Sequence, residues 1–224
     1  MCIDFRGASE EEILEMIDGT SVDDFDDLTW PAETWPDDLA PIVRLVDGRP
    51  RVIVGSFGFR PRNTFREGER YYPTMNARAE TIGSLRTYAK AWREGQLCLL
   101  PTQRFYEPNW ESGKHERWAI GMKDDAPFCV AGMWRQLKDE NGIPRYTFTQ
   151  ITVDATDHPL MSRFHKPGDE KRSLVILPRE SYDDWLTCRN PEMARSMLTL
   201  FPADQMKAWH EPKGSSQKQQ ALLV

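Results

Sequence analysis

A chain of 224 residues, 39% hydrophobic and 11% aromatic, is long enough for a substantial core and fits one compact unit. It has no apolar run near the ~18–20 residues of a membrane span, and its N-terminus lacks the basic stretch and apolar run of a secretory leader, so a cytoplasmic location is expected. The formal net charge of −6 excludes a uniformly basic nucleic-acid binder, but the charge is segregated: residues 1–40 hold thirteen Asp/Glu and one Arg, a balance of −12, which leaves +6 for the rest, and eleven Lys/Arg fall in residues 41–95. A phosphate-binding face is compatible with that pattern, a solvated surface being the plainer alternative.

In chain order, Ser9-Glu-Glu-Glu12 followed by an apolar run and Gly19 predicts a capped helix with Ser9 and Glu12 as a capping box. An acidic loop rich in Trp and Pro follows. The pattern IVRLV-Asp47-Gly48-RPRVIV predicts a β-hairpin. A second helix is expected over Glu80–Glu94, stopped by Gly95. Strands are then expected around QLCLLP, RFYEP, RWAIGM, FCVAGMW and YTFTQITVD, as in a bent antiparallel sheet or barrel. DHPLMSRFH and SYDDWLTC suggest helices, KRSLVIL a buried strand. The fold class is α+β: one domain over residues 1–210 with a loose tail at 211–224.

Four cysteines, Cys2, Cys98, Cys129 and Cys188, are scattered without C-x-x-C spacing, so neither a zinc knuckle nor a redox dithiol is encoded. Cys98 and Cys129 sit in apolar runs and are expected in the core. Cys2 has no such setting. Removal of Met1 would leave it with a thiol and a free α-amine on adjacent carbons, groups that titrate near ~8.5 and ~7.7–8.0 in isolation. Such an aminothiol condenses with an aldehyde through its amine and closes a five-membered thiazolidine through sulfur; an accident of sequence is the bland alternative. Asn76, in MNARAET, is a cap or loop residue by default, and Arg78 is a surface charge or a phosphate seat. Glu107, beside Phe105 and Tyr106, suits proton transfer if desolvated, or is a solvent-facing strand residue. His158 and His165 are spaced as no chelating pair, so no metal is expected; His165 precedes a basic loop, where it could act as acid or base.

Taken in order, Cys2 behind Met1, Asn76-Ala-Arg-Ala-Glu-Thr81, Phe105-Tyr106-Glu107, Ala131-Gly-Met-Trp134 and the run ITVDATDHPLMSRFHKPGDEKRSLVIL resemble the SOS-response-associated peptidase (SRAP) family, whose members shield abasic sites in single-stranded DNA. The resemblance spans roughly residues 1–185. It implies a curved antiparallel sheet or barrel with helices outside, a cationic groove for single-stranded DNA and no cofactor. It further implies crosslinking by Cys2 to the open-chain sugar aldehyde, self-removal of Met1 as an autopeptidase and an abasic-site lyase-type activity. Asn76 would position Cys2, Glu107 would assist ring opening and proton transfer, and His165 would handle protons on the sugar or in crosslink reversal. Arg78 and Arg172 match family positions that bind phosphates, and Phe57, Arg60, Arg62 and Thr152 are expected along the DNA path. The location would be cytoplasmic, at the nucleoid when DNA is damaged, and the protein a monomer. The chain departs from the usual Met-Cys-Gly-Arg start with Ile3 and Asp4, and its aromatic wedge segment reads Phe57-Gly58-Phe59-Arg60-Pro61. Two other classes fit a Met-Cys start: an N-terminal-nucleophile amidohydrolase, and a non-crosslinking module that binds single-stranded DNA.

Overall fold

The computed structural model describes residues 2–26, 28–138 and 141–214, without the side chains of residues 22, 23 and 144. Its elements, in chain order, are β1 (Phe5–Gly7), α1 (Glu10–Met16), β2 (Glu33–Thr34), β3 (Leu39–Val46), β4 (Arg49–Phe57), β5 (Asn76–Arg78), α2 (Ala89–Arg93), β6 (Leu97–Asn109), β7 (Glu116–Met122), β8 (Phe128–Lys138), β9 (Pro144–Asp154), β10 (Arg172–Leu174), β11 (Ile176–Leu177), α3 (Tyr182–Thr187), α4 (Pro191–Ser196) and β12 (Met206–His210).

Local chemistry fixes the early elements. The Ser9 hydroxyl accepts from the Glu12 amide while the Glu12 carboxylate accepts from the Ser9 amide, so α1 starts on the expected capping box and buries Ile13 and Met16. Asp47 and Gly48 take φ of 50° and 78°, the paired left-handed conformation of a two-residue hairpin turn, and β3 pairs with β4 from Val46↔Arg49 to Leu39↔Ser56.

The strands pair in the circuit β6-β3-β4-β9-β8 and back to β6, which closes a five-stranded barrel. Period-2 alternation splits the wall residues into two clusters. Leu97, Leu99, Cys129, Ala131, Met133 and Ile151 pack with Ile13, Trp92, Tyr182 and Trp185 of the helices; Cys98, Leu100, Val130, Ile42, Phe57 and Phe148 form the other cluster. Five strands leave no room for a helix inside, so the first cluster is the outer layer and the second fills the lumen. Packing in the lumen is tight at Gly132, where a Cβ would stand 2.0 Å from Leu100 Cδ1 and 2.9 Å from the Thr149 carbonyl oxygen. Cys98 and Cys129 are core residues, as expected.

Strand β6 outruns the barrel. It pairs with β8 over Leu97–Thr102, then leaves it to pair with β7 over Phe105–Asn109, while β1 lies along its other edge with Phe5 opposite Phe105. β12 extends this wing by pairing with β7. At the far end of β9, the short strands β5 and β10 flank it, with Thr152 opposite both Arg78 and Leu174.

Four expectations are corrected. The helix over Glu80–Glu94 shrinks to α2; residues 79–88 form successive turns, consistent with Thr81, Gly83 and Ser84 being poor helix formers. DHPLMSRFH holds one short 3-10 turn, Met161–Arg163, and KRSLVIL splits into β10 and β11. Glu211, expected in the tail, is buried, its amide donating to the Arg117 carbonyl; the tail from residue 215 lies outside the described residues. Among the described residues, no helix is long and apolar enough to cross a membrane.

Candidate active site around Cys2

The segment before β1 is pinned by main-chain bonds. The Tyr106 amide donates to the Asp4 carbonyl at 3.2 Å, so the chain runs back along β6 toward Glu107 and places Cys2 beside it. Asn76, carried by β5, donates through Nδ2 to the Cys2 carbonyl at 2.7 Å. The Cys2 thiol donates to the Asp4 carbonyl at 3.2 Å and packs in the lumen cluster, only 1% exposed, against the expectation that it has no core setting. Burial pushes this thiol well above its ordinary pKa, and the carboxyls of Glu107 and Asp4 push the same way, so it rests as a neutral thiol.

Glu107 is 3% exposed, and its Oε2 stands 2.9 Å from Nε2 of His165, itself 5% exposed. His165 is held against the strand by its amide, which donates to the Pro108 carbonyl at 2.8 Å. Lys171 clamps the same turn, donating to the Phe164 and His165 carbonyls at 2.6 and 3.1 Å. His165 has φ of 65°, a left-handed conformation that costs a non-glycine residue about 1–3 kcal/mol and persists only where the surroundings enforce it. The sequence-chosen residues Cys2, Asn76, Glu107 and His165 therefore converge through contacts between β1, β5, β6 and the turn after residue 161.

Sequence reasoning missed the ion network beneath them. Arg117 donates to Asp4 Oδ2 through Nε and Nη2 at 3.1 and 2.9 Å and to Glu33 Oε2 at 3.0 Å, with its guanidinium 3.3 Å over the Tyr106 ring. The Tyr106 hydroxyl donates to Glu211 Oε1 at 3.0 Å, and Arg104 pairs with Glu211 at 3.2 Å. Asp4 is 6% exposed; burial raises its pKa to about 6 against the opposing pull of Arg117. Asp4 was visible as a departure from the family pattern, whereas nothing in ERWAIGM marked Arg117.

The residues expected along DNA are less uniform. Arg78 is on the surface, paired with Glu170 at 2.6 Å. Arg172 is buried: it meets both Glu80 oxygens at 2.9 and 3.0 Å, Glu170 at 3.4 Å and the Thr152 carbonyl at 2.7 Å, so it braces the end of β9 instead of presenting a free guanidinium. Thr152 is equally buried. Arg60 is held by Glu69 at 2.5 Å, and Arg62 is exposed, 3.9 Å from Asp37. Phe57 is a correction: it is 0% exposed, stacked on Phe148 at 5.3 Å inside the lumen, because its place in β4 points it inward, and it offers no wedge. No cluster of three or more His, Cys, Asp or Glu suited to a metal ion exists among the described residues.

Fold and site together define a single α+β domain in which a five-stranded barrel and its wing bury Cys2 beside a Glu-His pair. A model of the SOS response associated peptidase (SRAP) family matches residues 1–213, and the chain belongs to that family. It is 31% identical over 157 residues to abasic site processing protein YoaM of Bacillus subtilis (strain 168), covering 65% of this chain and 64% of that protein. It is 30% identical over 154 residues to abasic site processing protein YoqW of Bacillus phage SPbeta, covering 65% of each. The matched part thus spans just under two thirds of the length of these curated relatives. Among solved structures, a protein from Bordetella bronchiseptica superposes with a TM-score of 0.83 at 30% identity, covering 94% of this chain and 99% of that one. A protein from Bacteroides thetaiotaomicron shares the fold, with a TM-score of 0.73 at 21% identity over 95% of this chain and 93% of that one.

Proposed function

We propose that this protein processes abasic sites in single-stranded DNA by capturing the open-chain sugar aldehyde on Cys2 once Met1 has been removed. The observation that carries this reading is the convergence of Asn76 on the Cys2 carbonyl and of the Glu107–His165 pair beside the thiol. Hydrolysis of the Met1–Cys2 peptide bond consumes one water and frees the amine. The amine nitrogen then bonds to the aldehyde carbon, water leaves, and an imine remains. Sulfur next bonds to that carbon while the thiol proton passes to nitrogen, closing a thiazolidine. The whole condensation releases one water and needs no oxidant or cofactor.

Each residue has a proton or a position to hold. A neutral thiol makes the amine the first nucleophile, and Glu107 is placed to accept the thiol proton as sulfur attacks. His165, whose Nε2 lies 2.9 Å from Glu107 Oε2, is placed to pass a proton to the sugar oxygen. Asn76 fixes the Cys2 carbonyl and with it the direction of the amine. Arg78 and Arg62 are the surface cations suited to the strand's phosphates.

The test uses protein shown by intact mass to lack Met1, mixed with a uracil-excised single-stranded oligonucleotide. A heat-stable adduct is expected, abolished in Cys2→Ala and slowed in Glu107→Ala. No adduct from the processed wild type refutes the reading. Burial of the thiol favours a second reading, strand binding without crosslinking, in which the same oligonucleotide binds in a salt-sensitive manner and no adduct forms.

A further inference from the structure

The long connection between β4 and β5 folds over the outer wall and, together with Arg86 and Arg135, borders an open cavity of about 780 Å³, lined by Arg60, Arg66, Glu69, Tyr72, Arg86 and Arg135, with Glu67 at its edge. That volume suits a group the size of a nucleotide. Four arginines against two glutamates give it a formal charge of +2. One pair is internally satisfied, since Arg60 meets Glu69 through two bonds of 2.5 and 2.6 Å. The Arg66 amide also donates to Glu69 Oε2, at 3.1 Å, but the guanidinium groups of Arg66, Arg86 and Arg135 form no ion pair with a carboxylate among the described residues. Arg66 and Arg86 are exposed at the rim. Arg135, on β8, is half-buried below them, its Nε shielded from solvent and without a hydrogen-bond partner among the described residues, its guanidinium 4.9 Å from the Phe59 ring. Burial and the neighbouring charge of Arg60 weaken its hold on its proton, a cost that an arriving anion would relieve. Tyr72, 41% exposed, sits edge-on to Phe65 at 5.2 Å and offers an aromatic face beside the cations.

We propose that this cavity seats a backbone phosphate of the nucleic-acid strand, with the attached base against Tyr72. The inference rests on the proposed strand-binding function and adds a contact point to it. Desolvated arginine with exposed arginines above it is the donor set that phosphate oxygens satisfy, and an aromatic face next to a phosphate seat is how sequence-tolerant single-strand sites are built. The connection that forms the cavity runs directly into Asn76: Thr74 accepts from the Arg60 amide at 2.8 Å, and Met75 accepts from the Gln150 amide at 2.8 Å. A strand seated here would thus order the segment that carries the Cys2-binding asparagine.

The experiment measures binding of an undamaged single-stranded oligonucleotide, which has no aldehyde, by fluorescence anisotropy across a salt series. The double variant Arg66→Ala/Arg86→Ala is expected to bind about 10-fold more weakly, with a log–log salt slope shallower by about 0.7 for each phosphate contact removed. Arg135→Met removes the buried cation with its packing stem kept and is expected to weaken binding likewise; if it fails to fold, the rim variant alone decides. Wild-type affinity and salt slope in the rim variant overturn the proposal. So does competition by adenosine 5′-monophosphate as effective as that of the oligonucleotide, which assigns the cavity to a free nucleotide. Because the binding arm needs no crosslink, loss of the Cys2 chemistry and loss of the cavity site give separate results.

Discussion

Replacing Asp4 by Asn should stabilise the protein at neutral pH and not at pH 4. The Asp4 carboxyl is raised from 3.8 to about 6, first by burial, with Glu33 and Glu107 adding to the effect and Arg117 opposing it. Between those two values the folded chain holds a proton that the unfolded chain has released, so stability falls as pH rises through this window. The loss is absent below the lower value and complete above the upper one. A shift of roughly two units at about 1.36 kcal/mol each amounts to about 3 kcal/mol. Asn carries no charge at any of these pH values and still offers an oxygen to Arg117, so Asp4→Asn escapes the loss. Urea unfolding of both proteins at pH 4, 5, 6 and 7 measures it: the advantage of Asp4→Asn should grow from near zero to about 3 kcal/mol, or about 6–12 °C in Tm. Taking the difference cancels the titration of other carboxyls. An advantage that is independent of pH, or that shrinks toward neutrality, refutes the reasoning.

Three more outcomes follow from the structure. Glu170→Gln removes the charge that bridges surface Arg78 and buried Arg172, so undamaged single-stranded DNA should bind several-fold tighter at low salt while Tm shifts by less than about 3 °C, because the exposed Arg78 pair is worth ~0–1 kcal/mol and Arg172 keeps its Glu80 partner; unchanged affinity in a titration would exclude Glu170 as a competitor of phosphate. Gln150 is fully buried with neither side-chain amide atom hydrogen-bonded to any described residue, so Gln150→Leu should raise stability by about 1–3 kcal/mol in chemical denaturation, and a loss would show that the amide has a partner. Gly132→Ala drives a methyl into Leu100 and the Thr149 carbonyl and should cost at least about 1–3 kcal/mol; a neutral result would mean that the lumen yields more easily than its packing indicates.

The parts legible in the sequence are those fixed by neighbours. The Ser9 capping box and the Asp47-Gly48 turn involve residues at most a few positions apart, and both formed as read. Barrel strands such as β6 were recognisable as apolar runs because both their faces are covered. The site residues came from motif order, not from geometry; that Glu107 touches His165 depends on Pro108 accepting the His165 amide, which no spacing encodes. Phe57 was misread because a local motif cannot say which way a strand residue points, and β4 turns it into the lumen. Arg117 gave no signal since its partners Asp4, Glu33 and Glu211 arrive from three distant segments.

One uninterrupted strand, β6, serves first as a stave of the barrel and then as the arm that holds out Glu107. Small repacking around Cys98 or Leu100 is therefore levered outward to the carboxyl, and a displacement near 1 Å at a reacting group can cost about 100-fold in rate. Adduct kinetics should consequently register subtle damage to the lumen well before a melting curve does.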